Sequence, residues 1–214
     1  MQENSHPKAC IILPTYNERE NIGKLAKNLQ KVIKNMPQWD IDVLVVDDNS
    51  PDKTADVVRQ FQKERSHFHL LSGTKKGLGE AYKRGFFYAL EKLKPDYIFQ
   101  MDADFQHNPG DIKKFLQKAQ KGYDFIIGSR YIPGGDCVNL EFKRKIYSWL
   151  ANIIAKKIAG IGKIEDCTSG FRCISARFLK NLDLKKLSSN SYGFQLSLLH
   201  AAVKKKLKIL EIPI

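Results

Sequence analysis

The stretch that decides the architecture is YIFQMDADFQHNPGDIKKFLQKA, residues 97–119. Tyr97–Met101 is a short apolar run of strand length, and Ile112–Ala119 reads as a helix. Between them lies a polar turn with two carboxylates, Asp102 and Asp104, one residue apart. The same alternation extends in both directions. Ala9–Leu13 is an apolar, strand-like run closed by Pro14, and Glu18–Ile33 then puts Ile22, Leu25, Leu29 and Ile33 on one helical face. Val43–Val46 is continuous and β-branched-rich, as a strand buried on both faces is. Asp52–Lys63 follows as a helix with Ala55, Val58 and Phe61 as its apolar positions, then a weaker strand at Phe68–Leu71. Leu78–Leu93 is a strong helix and Phe125–Ile127 another strand. This alternation predicts βαβ units, hence an α/β fold with a mostly parallel sheet flanked by helices. In such sheets ligands gather beyond the carboxyl ends of the strands, so the polar residues just after each strand carry the chemistry.

A chain of 214 residues is long enough for one large core and short for two, and no repeat or linker divides it. Hydrophobic residues at 43% and charged residues at 28% exclude wholesale disorder. The four cysteines, Cys10, Cys137, Cys167 and Cys173, show neither a CxxC pair nor zinc-finger spacing, which predicts a reduced, cytosolic chain. The N-terminal MQENSHPKAC lacks a signal-peptide pattern, and no apolar stretch approaches the ~20 residues of a membrane span. The net charge of +13 is uneven: residues 1–141 carry 21 basic against 19 acidic side chains, residues 142–214 carry 15 against 4. A near-neutral half joined to a basic one predicts a local anionic partner, either phosphates, an acidic membrane surface or RNA. The lysines at 204–206 alone read as solvated side chains.

Three strand ends stand out: Pro14-Thr15-Tyr16-Asn17-Glu18, Asp47-Asp48-Asn49-Ser50, and Asp102-Ala103-Asp104-Phe105-Gln106. Asn17, Ser50 and Asp52 read as caps for the helices that follow them, and either Asp47 or Asp48 alone suits a cap as well. The Asp102/Asp104 pair has no such explanation, because like charges this close repel and capping does not require both. Hard oxygen ligands at that spacing suit Mg²⁺ or Mn²⁺ held by one or two carboxylates plus substrate phosphate oxygens.

Taken in order, PTYNERENI (14–22), VVDDNSPDKTADVV (45–58), GLGEAYKRG (77–85), MDADFQHNP (101–109), GSRY (128–131), TSGFR (168–172), GFQ (193–195) and EIPI (211–214) resemble the dolichyl-phosphate mannose synthase group of the inverting GT-A glycosyltransferases. The first motifs mark the broad family, and MDADFQHNP, TSGFR and EIPI the polyprenyl-phosphate sugar synthases. The resemblance implies a single GT-A domain over 1–214, with a nucleotide-binding half at 1–106 and an acceptor-side half at 107–214. It implies that Pro14, Tyr16 and Glu18 hold the nucleoside, Val46 and Asp48 line the base, and Ala103 sits beside the donor sugar. Asp102, Asp104 and Gln106 would be the metal ligands, while Arg130 and Arg144 would lie near the donor pyrophosphate and the acceptor phosphate. Asp104, Arg130 and Arg144 are thus the expected catalytic set, and Asp102, Ala103, Asp104 and both arginines join the nucleotide-sugar contacts.

The implied reaction moves mannose from GDP-mannose to a polyprenyl phosphate with Mg²⁺ or Mn²⁺. A phosphate monoester has its second pKa at ~6, so it is already ionised near neutral pH and needs no strong general base. This bears on one departure, since the family has an acid two residues after GFQ and here Ser197 stands there. Family members also continue beyond EIPI, whereas this sequence ends at Ile214. On the lipid side, residues 142–161 place Phe142, Ile146, Trp149, Leu150, Ile153, Ile154, Ile158 and Ile161 near one helical face, flanked by Lys143, Arg144, Lys145, Lys156 and Lys157. That pattern predicts a peripheral contact with the cytoplasmic face of a membrane; an ordinary core-facing helix is the other reading. The competing functions are glucose transfer from a UDP donor, transfer to a soluble acceptor, and non-catalytic binding of RNA or anionic lipid. No stacking platform or RNA-binding motif supports nucleic acid as a partner.

Overall fold

The computed structural model describes residues 6–135, 161–162, 164–188 and 191–214. The elements run β1 (Lys8–Thr15), α1 (Arg19–Lys34), β2 (Asp40–Asp47), α2 (Thr54–Glu64), β3 (Phe68–Ser72), α3 (Leu78–Tyr88), β4 (Tyr97–Gln100), α4 (Ile112–Ala119), β5 (Phe125–Ser129), β6 (Arg172–Ser175), α5 (Ala176–Lys180), α6 (Ser191–Lys204) and β7 (Ile209–Pro213). A π-helical turn, Ala89–Leu93, extends α3, so the helical signal expected to Leu93 is present with a wider last turn. The seven strands form one sheet in the order β3-β2-β1-β4-β6-β5-β7. All pairings are parallel except those that β6 makes with β4 and β5.

Alternation along the strands builds two cores, one on each face. Ile11, Leu13, Val43, Val45 and Phe99 face Ile22, Leu25 and Leu29 of α1 and Phe115 of α4. Cys10, Ile12, Leu44, Val46, Ile98, Phe125 and Ile174 face Tyr82 and Phe86 of α3 and Phe194 and Leu198 of α6. Each large apolar side chain so enclosed contributes roughly 1.5–3 kcal/mol relative to exposure. This double coverage is why the central strands read as unbroken apolar runs. Cys10 and Cys173 are free thiols, and they and Cys167 are buried.

Two elements differ from expectation. Pro14 does not end β1, which continues to Thr15 in register with Val46 and Asp47 of β2. The alternation places the Pro14 nitrogen toward β4, and pairing with β4 stops at Ile12, so the missing N–H sacrifices no ladder bond. The second difference is β6, four residues of mixed polarity inserted antiparallel between β4 and β5. The amphipathic stretch 142–161, including Trp149, lies outside the described residues except Ile161, which is buried in the second core. Among the described residues no helix is long and apolar enough to cross a membrane.

Gly85 sets how closely α3 approaches the sheet. A Cβ there would stand 2.8 Å from Ile12 Cγ2 and 3.1 Å from Val46 Cγ2. Gly85→Ala gains about 1 kcal/mol of helix propensity, but the added methyl overpacks a closed core, which typically costs about 1–3 kcal/mol. Urea unfolding of Gly85→Ala is expected to show a lower midpoint than wild type. A raised midpoint would mean that α3 can shift away from the sheet at little cost.

Candidate active site

The carboxyl ends of β1, β2 and β4 lie side by side, and their polar loops form one surface. Register pairs Thr15 with Asp47, and the Thr15 hydroxyl donates to Asp47 Oδ1 at 3.0 Å. Asp47 is buried and also accepts from the Ser50 hydroxyl at 2.6 Å and the Ser50 N–H at 3.0 Å. Ser50 Oγ in turn accepts the Asn17 N–H at 3.0 Å. Asp52 accepts from the Arg19 N–H at 2.9 Å with one oxygen and from the Thr54 N–H and hydroxyl with the other, while Thr54 Oγ1 accepts the Glu18 N–H at 3.0 Å. The expectation that Asn17 and Ser50 cap the helices after them is therefore corrected, while Asp52 does accept the N–H of Thr54, the first residue of α2. Glu18 and Lys53 occupy the N-cap positions, and the polar side chains mainly tie the β1 loop to the β2 loop. Asn17, Asn49 and Lys53 take positive φ within these turns.

Beside the two loops is a pocket of about 210 Å³ lined by Pro14, Thr15, Tyr16, Asp48, Lys75 and the start of α3 at Gly77–Ala81. Pro14, Tyr16 and Asp48 were expected at a nucleoside site, and the structure brings them together. Asp48 is nearly enclosed and ion-pairs with Arg84 of α3, which also donates to the Thr74 carbonyl at 3.1 Å. The Lys75 ammonium sits 3.3 Å above the centre of the exposed Tyr16 ring. Glu18 flanks this loop and accepts from the Asn21 amide at 2.7 Å. The Val46 side chain instead packs in the core beneath Gly85 and is not among the lining residues.

After β4 the chain turns through Asp102–Gln106. His107 pins the turn: its Nδ1 accepts the Asp102 N–H at 3.1 Å, and its ring stacks on Phe171 with centroids 4.9 Å apart. Burial lowers the His107 pKa, which keeps the imidazole neutral and able to accept. Phe105 takes φ of 64° and is exposed, while Ala103 is buried. Asp104 Oδ1 accepts the Gln106 N–H at 3.1 Å. Asp102 Oδ1 receives one long bond, 3.3 Å, from the buried Tyr82 phenol, whose pKa is raised by burial and then by the charge of Asp102. The other Asp102 oxygen lies where a Cβ on Gly170 would stand at 2.9 Å, so only glycine fits there.

These residues fit a divalent cation. Asp102 and Asp104 each carry a single hydrogen-bond donor, and both keep hard-oxygen capacity. Gln106 is exposed on the same turn. Among the described residues no group of three or more His, Cys, Asp or Glu forms a closed cage. Such an open pair suits an ion that shares its coordination with substrate phosphates.

Arg130, just after β5, is held rigidly. Its Nε and Nη2 make a bidentate pair with fully buried Asp166 at 2.8 and 2.9 Å, and Nη2 also donates to Thr168 Oγ1 at 3.2 Å. Asp166 is itself fixed from β7: the Glu211 carboxylate accepts the N–H groups of Glu165 and Asp166, both at 2.8 Å. The TSGFR and EIPI motifs thus meet at one arginine. Arg144 lies outside the described residues. Ser197 of α6 donates to the Phe194 carbonyl at 3.0 Å and accepts from the Ser188 N–H at 3.3 Å, a local structural use. Tyr82, Arg84, Lys75, Asp166 and Glu211 were not singled out from sequence. The available signal was the presence of Tyr82, Arg84 and Glu211 in GLGEAYKRG and EIPI, and of Lys75 and Asp166 just before GLGEAYKRG and TSGFR.

Comparison with known proteins identifies the family and the fold. The model of glycosyl transferase family 2 matches residues 10–183, so the chain belongs to that family. It is 35% identical over 209 residues to polyprenol monophosphomannose synthase of Mycolicibacterium smegmatis, covering 97% of this chain and 76% of that protein. It is 37% identical over 208 residues to undecaprenyl-phosphate mannosyltransferase of Micrococcus luteus, covering 97% and 82%. Among solved structures, glucosyl-3-phosphoglycerate synthase of Mycobacterium tuberculosis superposes with a TM-score of 0.71 at 18% identity, covering 97% of this chain and 70% of that one. A mannosyltransferase of Pyrobaculum calidifontis, solved with GDP-Man and Mn²⁺, gives 0.59 at 17% identity, covering 98% and 56%. The expected GT-A fold is therefore the observed one.

Glu211 supports Arg130 through Asp166, so their effects are coupled. Glu211→Ala is expected to weaken binding of a nucleoside diphosphate with Mn²⁺ by about tenfold, in the range of a lost charge-assisted pair. Adding Arg130→Ala should cost little more than the larger single change. Calorimetric titration of the four proteins checks this, and fully additive losses would disconnect Glu211 from the site.

Proposed function

We propose that this protein transfers mannose, with inversion, from GDP-mannose to the phosphate of a polyprenyl lipid. The observation that carries the reading is the convergence of three features on one sheet edge: the Tyr16–Asp48 pocket, the Asp102/Asp104 turn and the Asp166-braced Arg130. Two relatives matched over 97% of the chain carry polyprenyl-phosphate mannose transfer in their names, which supports both sugar and acceptor. The Pyrobaculum structure with GDP-Man and Mn²⁺ supports a guanosine donor and a metal.

Pro14 and Tyr16 would pack against the nucleoside, Glu18 would accept from ribose hydroxyls, and Asp48, oriented by Arg84, would face the base. Asp102, Asp104 and Gln106 would hold Mg²⁺ or Mn²⁺, which when bound offsets the negative charge that grows on the departing diphosphate. Arg130 would donate to the same diphosphate, its direction set in advance by Asp166 and Thr168. We assign Arg144 to the acceptor phosphate. That phosphate is the nucleophile and is already ionised, its second pKa being ~6. No side chain has to remove its proton, and Ser197 in place of an acid costs the reaction nothing. The +11 balance of residues 142–214 would hold the protein peripherally on an acidic leaflet, where the lipid phosphate is presented.

Incubation with radiolabelled GDP-mannose, GDP- and UDP-glucose, polyprenyl phosphate and Mn²⁺ should make the mannose label lipid-extractable, and label from UDP-glucose alone would overturn the donor. Asp102→Asn and Asp104→Asn should each lower transfer by at least about 10³-fold while circular dichroism and melting stay near wild type. Near-normal rates in both at saturating Mn²⁺ would remove the metal assignment. Flotation with acidic vesicles should show binding that weakens at high salt, and protein that stays off such vesicles at low salt would end the membrane assignment alone.

A further inference from the structure

Arg172 heads the fully buried side chains by size among the described residues. It lies on β6, directly across from Gln100 of β4, two residues before Asp102. Its guanidinium donates to two backbone carbonyls, Gln195 at 2.8 Å through Nη1 and Cys167 at 2.7 Å through Nη2. Its Nε has no partner among the described residues, nor do the buried amide atoms of Gln100 or Oε1 of Gln195. Burial pulls its pKa down to about 10, so it remains a cation near neutral pH. Two carbonyls, the charge of Asp166 and the Phe125 ring, 5.6 Å away, offset the cost of burying this cation, and an apolar side chain of this volume would serve stability as well.

What the arginine does is join two segments of the site. Cys167 stands between Asp166 and Thr168, the residues that hold Arg130, and three residues before Gly170, which lies against Asp102. Gln195 follows Phe194 on α6, and the Phe194 ring stacks on Tyr82 at 5.8 Å and 3°, the tyrosine whose hydroxyl donates to Asp102. Each carbonyl therefore belongs to a segment that reaches Asp102 by its own route.

We infer that Arg172 is a positioning residue for the transfer: its forked guanidinium fixes the spacing between the 166–170 segment and α6, and so the placement of Asp102 and Arg130 relative to the acceptor half. The inference rests on the transferase reading above. A lysine would keep the charge but cannot present two fixed, parallel donors to carbonyls on different segments.

The test compares wild type, Arg172→Lys and Arg172→Met in the full chain by melting, GDP–Mn²⁺ calorimetry, steady-state transfer from GDP-mannose to polyprenyl phosphate, and amide hydrogen exchange. Arg172→Lys should melt close to wild type and bind GDP within about threefold, yet lose about 30-fold in kcat, the scale expected of a small misplacement. Amide exchange should rise in 164–171 and in 191–200 together. Arg172→Met should lose more; if it fails to fold, the lysine variant decides. A folded variant with wild-type kcat overturns the inference, as does a kcat loss that merely follows lost GDP binding. If wild type transfers no sugar from GDP-mannose, the transferase reading fails instead. Exchange then judges the coupling by itself, and a rise confined to one segment overturns it.

Discussion

A carboxylate taken out of water must be met by donors, and that requirement organises the whole carboxyl edge of this sheet. Asp47 is met three times, by Thr15 and twice by Ser50. Asp166 is met by Arg130 and Thr168, and Asp48 by Arg84. Asp102 and Asp104 are different: among the described residues one distant phenol and one backbone N–H hydrogen-bond to their oxygens. The carboxylates met by side chains of neighbouring elements hold those elements together, whereas these two keep capacity for an external cation.

The same requirement explains why the last strand matters to a site built mostly by the first half of the chain. In the proposed transfer Arg130 would serve a diphosphate only if its own neutralising partner stays still, and Asp166 is in a segment without regular structure. Glu211, 45 residues further on, accepts its N–H and that of Glu165 and so borrows the rigidity of β7 for that segment. Arg172 applies the opposite polarity to the same segment, donating to the Cys167 carbonyl from β6. An acid from one strand and a base from another clamp three consecutive residues of loop, Glu165, Asp166 and Cys167, through their N–H and carbonyl groups.

How much of this could be read from sequence follows from which forces are local. Strands β1 to β5 and helices α1 to α4 were legible because burial on two faces writes continuous apolar runs and burial on one face writes a helical period. β6 was not, because RCIS owes its place to neighbours far along the chain and carries a buried arginine where an apolar residue is expected. The aspartates after β2 and β4 were visible as clusters, but Asp47 and Asp48 could not be told apart, since Ser50 and Arg84 choose them only in three dimensions. Asn17 and Ser50 were misread as local caps because capping is a local rule, and they meet instead across 33 residues, between adjacent βα loops. Asp52 does accept the N–H of Thr54 at the start of α2, but its other oxygen reaches Arg19, also 33 residues away. Val46 was expected near the base by position, whereas strand alternation turns its side chain into the core.

The division of chemical labour follows from the acceptor rather than from the fold. An alcohol nucleophile would require a base aimed at its proton, and a carboxylate left unsaturated on α6 would be the natural choice. Here that position is Ser197, whose hydroxyl is occupied by the Phe194 carbonyl and the Ser188 N–H, so this position offers structure and no base. A phosphate that arrives ionised replaces the missing acid with its own charge. That charge raises a different difficulty, because the nucleophile and the donor diphosphate repel one another. Approach then depends on fixed positive groups between them, and these are effective only if they do not have to reorganise as the charges move. Arg130, locked by Asp166, Thr168 and, through them, Glu211, meets that condition before any substrate binds.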